Sequence, residues 1–254
     1  MAEFPASFNI FELDGSNGFT TTKSSQTSFL FSVSDAGDIN GDGLSDIIIG
    51  AFDKYARDTV DAGESYVIYG SSTGFSSDIS LSSLNGNNGF VLRGISIGDA
   101  AGYSVSEAGD INGDGLDDLV IGAHGARPSS NPYGEPAGEG YVVFGNTAGF
   151  GNHFELSDLN GSNGFVLDHG NVDGRLGWST SNAGDINNDG IDDIIVGAPE
   201  ADGRRGRSYV VFGNSVGFSS KLELSSLNGT NGFVLTGIDY RDRVGSSVSG
   251  AGDI

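Results

Sequence analysis

Apolar residues in this chain come in short runs, each cut off by Gly, Asn or Asp. The longest are near-continuous, as in Asp118-Leu119-Val120-Ile121-Gly122-Ala123. A second kind alternates small and apolar residues, as in Gly102-Tyr103-Ser104-Val105-Ser106, and a third is brief, as in Phe90-Val91-Leu92. Runs of β-branched and aromatic residues between turn formers predict short β-strands. Helical periodicity is absent, and Leu-Ser-Ser-Leu before Asn-Gly amounts to one turn at most.

These runs recur in fixed order. The string AGDINGDGLSD begins at Ala36, AGDINGDGLDD at Ala108 and AGDINNDGIDD at Ala183, and a truncated AGDI begins at Ala251. Their lead aspartates, Asp38, Asp110, Asp185 and Asp253, are spaced by 72, 75 and 68 residues. An N-G-F string ends at Phe19, Phe90, Phe165 and Phe233, and YVIYG or YVVFG begins at Tyr66, Tyr141 and Tyr209. Three motifs repeating in register are the mark of a repeat architecture. Four strands in about 70 residues predict an all-β fold of β-propeller blades, each of four antiparallel strands, with a β-solenoid rung as the alternative. The propeller is favoured because the apolar strand is flanked by apolar strands. The expected domain is a single region over 1–254, with repeats at about 4–74, 75–149 and 150–217 and a partial one at 218–254. That is about three and a half blades, an incomplete ring.

The aspartate strings carry the candidate chemistry, with oxygen-bearing side chains at positions 1, 3, 5 and 9 and Gly at position 6. The candidate ligands are Asp38, Asn40, Asp42 and Asp46; Asp110, Asn112, Asp114 and Asp118; and Asp185, Asn187, Asp189 and Asp193. Backbone carbonyls of Leu44, Leu116 and Ile191 at position 7 would complete each set. Hard oxygen donors around a sharp Gly turn suit Ca²⁺, whereas a soft transition metal would call for His or Cys. An EF-hand loop needs a carboxylate at position 12, where this chain has Ile49, Ile121 and Val196. Turn chemistry alone would also favour Asn, Asp and Gly, but not three times in register.

With these residues in view the chain resembles the FG-GAP repeats of integrin α subunits and their bacterial relatives. The Gly-Ala-Pro element is complete at Gly197-Ala198-Pro199 and partial at Gly50-Ala51 and Gly122-Ala123. The Phe-Gly element is degenerate, at Gly102-Tyr103, Gly177-Trp178 and Gly245-Ser246, with Phe29-Leu30-Phe31 in the first repeat. The resemblance implies a seven-bladed propeller with Ca²⁺ on the rims of individual blades. The L-x-G-x-N-G-F insertion and the absence of cysteine are more similar to bacterial versions.

Charge and composition narrow the partners. Thirty-four acidic residues against 12 basic give a net charge of −22, so nucleic acid, which is held by Lys and Arg on phosphates, is not expected. There is no Cys, hence no disulfide or thiolate metal site. No apolar stretch is long enough to span a membrane, and the start, MAEFPASFNI, shows no signal peptide. His124, His153 and His169 share no repeat phase and are expected in surface loops. Trp178 is expected between blades, and Glu135 and Glu139 in a Gly/Pro-rich loop without a nucleophile or base. Arg204, Arg205 and Arg207 form the one basic spot. The sequons at Asn160 and Asn228 fall on a repeated turn. The expectation is a calcium-binding, non-enzymatic module for extracellular protein interaction or cell adhesion. The alternative is an accessory region of a larger secreted hydrolase. An incomplete ring predicts either a fragment of a longer propeller or a homodimer that completes it.

Overall fold

The computed structural model describes residues 9–23, 29–52, 62–127, 135–170 and 174–251. In chain order the strands are β1 (Thr20–Thr22), β2 (Phe29–Gly37), β3 (Asp46–Phe52), β4 (Glu64–Ile68), β5 (Asp78–Ser80), β6 (Gly89–Arg93), β7 (Ser104–Gly109) and β8 (Asp118–Ala123). They continue with β9 (Glu139–Val143), β10 (His153–Glu155), β11 (Gly164–Asp168), β12 (Ser179–Gly184), β13 (Asp193–Ala198), β14 (Arg207–Val211), β15 (Lys221–Glu223) and β16 (Gly232–Thr236). The Leu-Ser-Ser stretches at Leu81–Ser83 and Leu224–Ser226 each make one 3-10 turn. The four-residue helical stretch Ala201–Arg204 is broken by left-handed backbone at Asp202 and Gly203.

Three antiparallel sheets, β2-β3-β4-β6, β7-β8-β9-β11 and β12-β13-β14-β16, form the blades. β2 lies beside β7 and β7 beside β12, so the first strands gather together and the blades fan outward from them. The described chain is therefore an open arc of complete four-stranded blades, the incomplete propeller expected from the repeats.

Each sheet is offset by one strand from the sequence repeat. β6, which follows N-G-F, closes the blade begun by β2, with Tyr66 opposite Val91 and Ile68 opposite Gly89; it does not open the next one. Asp78–Ser80 and its equivalents reach backward instead, β5 pairing in parallel with β1, β10 with β6 and β15 with β11. β10 and β15 thus add a short fifth strand to the outer edge of the preceding blade, while β5 and β1 form a separate two-stranded sheet; each pairing covers backbone groups that an open edge would leave exposed.

Burial explains the continuous apolar runs. Side chains alternate across a strand, and β8 is buried at every residue. Leu119 and Ile121 join a core shared with Ile48, Val67 and Phe90 of the first blade, while Val120 joins one shared with Ile194 and Val196 of the third. Each such side chain removed from water is worth about 1.5–3 kcal/mol. Both faces of the strand must be apolar because each meets a neighbouring blade.

The Gly-Ala and degenerate Phe-Gly elements meet at these boundaries. A Cβ on Gly50 would collide with the carbonyl of Gly102, one on Gly122 with that of Gly177, and one on Gly197 with that of Gly245. The backbones of adjacent blades touch there, and only glycine allows it. Ser104 and Ser179 fasten the same contacts, their hydroxyls donating to the Gly177 and Gly245 carbonyls at 2.9 Å.

Each end face of the arc exposes an apolar side chain whose equivalent is buried at an inner blade boundary. Ile39 and Ile111 are fully buried against a following blade, whereas the equivalent Ile186 is 48% exposed. On the opposite face Val105 is 5% exposed and its equivalent Val33 71%.

Candidate metal centres

The three aspartate loops connect the first strand of each blade to its second, β2 to β3, β7 to β8 and β12 to β13. Their internal hydrogen bonds repeat closely. Asp38 accepts the Asp42 amide at 2.9 Å and the Gly43 amide at 2.8 Å, one on each carboxylate oxygen. Asp110 accepts from Asp114 and Gly115 at 2.9 and 2.8 Å, and Asp185 from Asp189 and Gly190 at 3.0 and 2.8 Å. The third-position Asn40, Asn112 and Asn187 accept the same Asp42, Asp114 and Asp189 amides at 2.8–2.9 Å. The fifth-position aspartates accept the amides of Leu44, Leu116 and Ile191 at 2.9–3.0 Å. Positions 1, 3 and 5 therefore turn their oxygens inward over one short loop, as short polar side chains do when they cap nearby amides.

The ninth-position aspartates are rooted differently. Asp46, Asp118 and Asp193 start the second strands and are 1%, 0% and 0% exposed. Asp118 accepts the Gly145 amide at 2.8 Å and the Ile111 amide at 3.0 Å. Asp193 accepts the Gly213 and Ile186 amides, both at 2.9 Å. Asp46 accepts the Gly70 amide at 2.7 Å. Its Oδ2 is buried without a hydrogen-bond partner, although the Ile39 amide lies close enough to favour the charged carboxylate. Burial pushes Asp46 up to about 7 and Asp118 to about 8, and the loop carboxylates Asp42, Asp38, Asp114 and Asp110 add to the rise. Asp193 is raised for the same first reason, burial.

A hard divalent cation fits this donor set. Every donor is an oxygen, and each oxygen that accepts one amide keeps a second lone pair. The buried Oδ2 of Asp46 makes no full hydrogen bond, so even with the Ile39 amide nearby it keeps lone pairs that a cation could use. Asp38, Asn40, Asp42 and Asp46, with their equivalents in the other two loops, are the residues that would hold it. Among the described residues no three His, Cys, Asp or Glu side chains already converge as a metal cluster. The first- and fifth-position carboxylates are turned toward their own loop amides, so closing on an ion requires them to swing.

Elsewhere the structure revises the side-chain expectations. His169 is buried, not a surface residue, and hydrogen-bonds Tyr209 through Nε2. His124 lies in an aromatic group with Phe52, Tyr103 and Trp178, where burial lowers its pKa to about 4. Both residues sit at strand ends against a neighbouring blade, a location that the spacing of single histidines does not disclose. His153 is exposed as expected, and Trp178 does pack between the second and third blades, 5.1 Å from Tyr103. Glu139 begins β9 and is not a loop residue; it accepts the Tyr141 hydroxyl at 2.7 Å. Arg205 pairs with Asp202 at 3.4 Å. Asp253 lies outside the described residues.

Sequence reasoning passed over position 8. Asp117 accepts the Asp38 amide at 2.7 Å and Asp192 the Asp110 amide at 3.1 Å, each reaching from one blade into the loop of the preceding one. The doubled Asp-Asp of GLDD and GIDD was the available signal.

Among the described residues no helix is long and apolar enough to cross a membrane. A family model for the FG-GAP repeat matches residues 101–143 and 176–211, the second and third blades without their outer strands. Integrin alpha-PS2 of Drosophila melanogaster is 33% identical over 133 residues, 51% of this chain and 9% of that protein. Integrin alpha-4 of Xenopus laevis is 34% identical over 139 residues, 53% of this chain and 12% of its own length. Phosphatidylinositol-glycan-specific phospholipase D of Bos taurus is 29% identical over 195 residues, 75% of this chain and 22% of the enzyme. The matched stretch is thus at most about a fifth of these relatives. With its glycine contacts and blade order, the chain carries two FG-GAP repeats, over residues 101–143 and 176–211, and is similar to integrin α subunits over about half of its length.

Proposed function

We propose that this chain is a calcium-stabilised propeller region that presents loops for protein interaction or adhesion outside the cell. The observation that carries the calcium reading is the three-fold repetition of one oxygen-lined loop with the same internal hydrogen bonds. Each loop would hold one Ca²⁺ through its first-, third-, fifth- and ninth-position side chains and the carbonyl of Leu44, Leu116 or Ile191. Bound calcium would neutralise carboxylates that otherwise repel one another, tightening the turn between first and second strands. The similarity to proteins named as integrin α subunits supports the extracellular setting, and rigid blades presenting loops suit interaction. No catalytic step is assigned to these residues. Melting in millimolar Ca²⁺, in Mg²⁺ and in EDTA tests the reading: calcium should raise Tm well above both. Equal melting in all three would contradict it.

A second reading rests on the phospholipase D similarity, which covers 75% of this chain. In that case the arc is an accessory region of a larger secreted hydrolase. It predicts hydrolysis by the full-length protein and none by the arc alone.

The same reading includes completion of the ring by further blades, from a longer chain or from a second copy. The exposed Ile186 and Leu235 on one end face and Val33 on the other motivate it.

A further inference from the structure

We propose that Asp117 and Asp192 are positioning residues for the metal loop of the preceding blade, so that each loop is completed across a blade boundary. This inference rests on the calcium reading for its consequence but not for its geometry. Asp117 sits in the second loop, one residue before the candidate ligand Asp118. Its Oδ2 nevertheless accepts the amide of Asp38, the first residue of the first loop, at 2.7 Å. Asp192 does the same for Asp110 at 3.1 Å.

The AGD signature provides the socket. Gly37 has φ +60° and Gly109 φ +65°, and a Cβ on either would collide with the side chain of Asp117 or Asp192. Gly184, the third equivalent, has nothing within 4 Å of such a Cβ. A second bond closes the clamp. Asn146 donates its amide to the Ile39 carbonyl and Asn214 to the Ile111 carbonyl, both at 2.9 Å. The clamped Ile39 and Ile111 are fully buried, while Ile186 is 48% exposed.

The first-position aspartate places two oxygens on its own loop amides, so the placement of its backbone sets the rest of the ring. Fixing its amide from the next blade holds that residue in place before an ion arrives, and the extra carboxylate adds negative charge beside the cation. Outer-shell partners of this kind are worth about 10–100-fold in metal affinity. The loops then form a chain with a direction, each prepared by its successor.

The test separates this effect from damage to the loop that carries Asp117. In an Asp114→Ala background, which silences the second loop, calorimetry should count the first and third sites. Adding Asp117→Ala should weaken the first site by roughly tenfold or more and leave the third unchanged. Asp117→Asn, which keeps an oxygen to accept the amide, should recover most of that loss. The parallel pair Asp189→Ala and Asp192→Ala reads the second loop and carries the test if the first variant fails to fold. Hydrogen exchange in EDTA should show the Asp38 amide opening faster in Asp117→Ala, with third-blade amides unaffected. Unchanged first-site affinity together with unchanged Asp38 exchange would overturn the proposal. A parent protein that binds no calcium would sink the calcium reading, and Asp38 exchange, which needs no ion, would then decide the clamp alone.

Discussion

Phe90 and Phe150 lie face to face across the first blade boundary, their ring centroids 4.2 Å apart and their planes 6° from parallel. Phe165 and Phe218 repeat the pair at the next boundary, at 4.2 Å and 11°. The N-G-F string and the Gly-Phe that follows the YVIYG or YVVFG strand are therefore two halves of one joint. Phe165 is fully buried, so Phe165→Ala should cost about 3–5 kcal/mol in chemical denaturation. Phe233, the third equivalent, is only partly buried and meets Phe212 at 5.9 Å. Phe233→Ala should cost clearly less, and equal losses would refute the joint.

Glycine substitutions should separate backbone strain from blade contact. Gly109 and Gly184 both have positive φ, +65° and +71°, so alanine costs each about 1–2 kcal/mol. Gly109→Ala must also displace Asp192, which should add about 1–3 kcal/mol of overpacking. Paired urea melts of the two variants give the difference directly.

The calcium-free protein should lose stability as pH rises. An unfolded aspartate titrates near 3.9, but burial raises Asp46 to about 7 and Asp118 to about 8 in the fold. The folded state then keeps protons that the unfolded state has released, so stability falls across that interval. His124, lowered to about 4 by burial, acts oppositely but only below about 6.5. In EDTA, Tm should therefore drop between about pH 6.5 and 8.5. Asp46→Asn removes a buried charge at an oxygen without a hydrogen-bond partner. It should raise Tm at pH 8 in EDTA while reducing the gain from calcium. A Tm that climbs with pH over this window would contradict the assignment.

The strands and loops were legible because their signals are local. Turn formers bracket Asp118–Ala123, and the oxygen donors at Asp110, Asn112, Asp114 and Asp118 lie within nine residues. What was not legible depends on pairing at a distance. The pattern of Phe90-Val91-Leu92 says strand, but not that its partner is Tyr66-Val67 of the same blade. Asp78–Ser80 is too short to read as a strand until β1 supplies its partner. Asp117 resembles any loop aspartate until the first loop is placed against it. His169 gives no local sign that Tyr209, 40 residues on, will bury it.

The uncovered end faces make assembly the next expectation. Ile186 and Leu235 are 48% and 47% exposed on one end face, an arrangement that favours association. In millimolar calcium this chain should self-associate in light scattering, with dimers as the smallest closed species. Leu235→Lys should shift it toward monomer. A monomer that binds no apolar dye would contradict the expectation.

Calorimetric titration of the EDTA-stripped protein with Ca²⁺ tests the central claim most directly. The account predicts about three ions per chain, one for each loop of the repeat. It also predicts that Asp114→Ala lowers the count by one while the other loops keep their affinity, because repeats couple chiefly to their neighbours. Saturation at 100 times Kd should add about 2.7 kcal/mol of stability per site. No binding heat, with a Tm indifferent to EDTA, would contradict it.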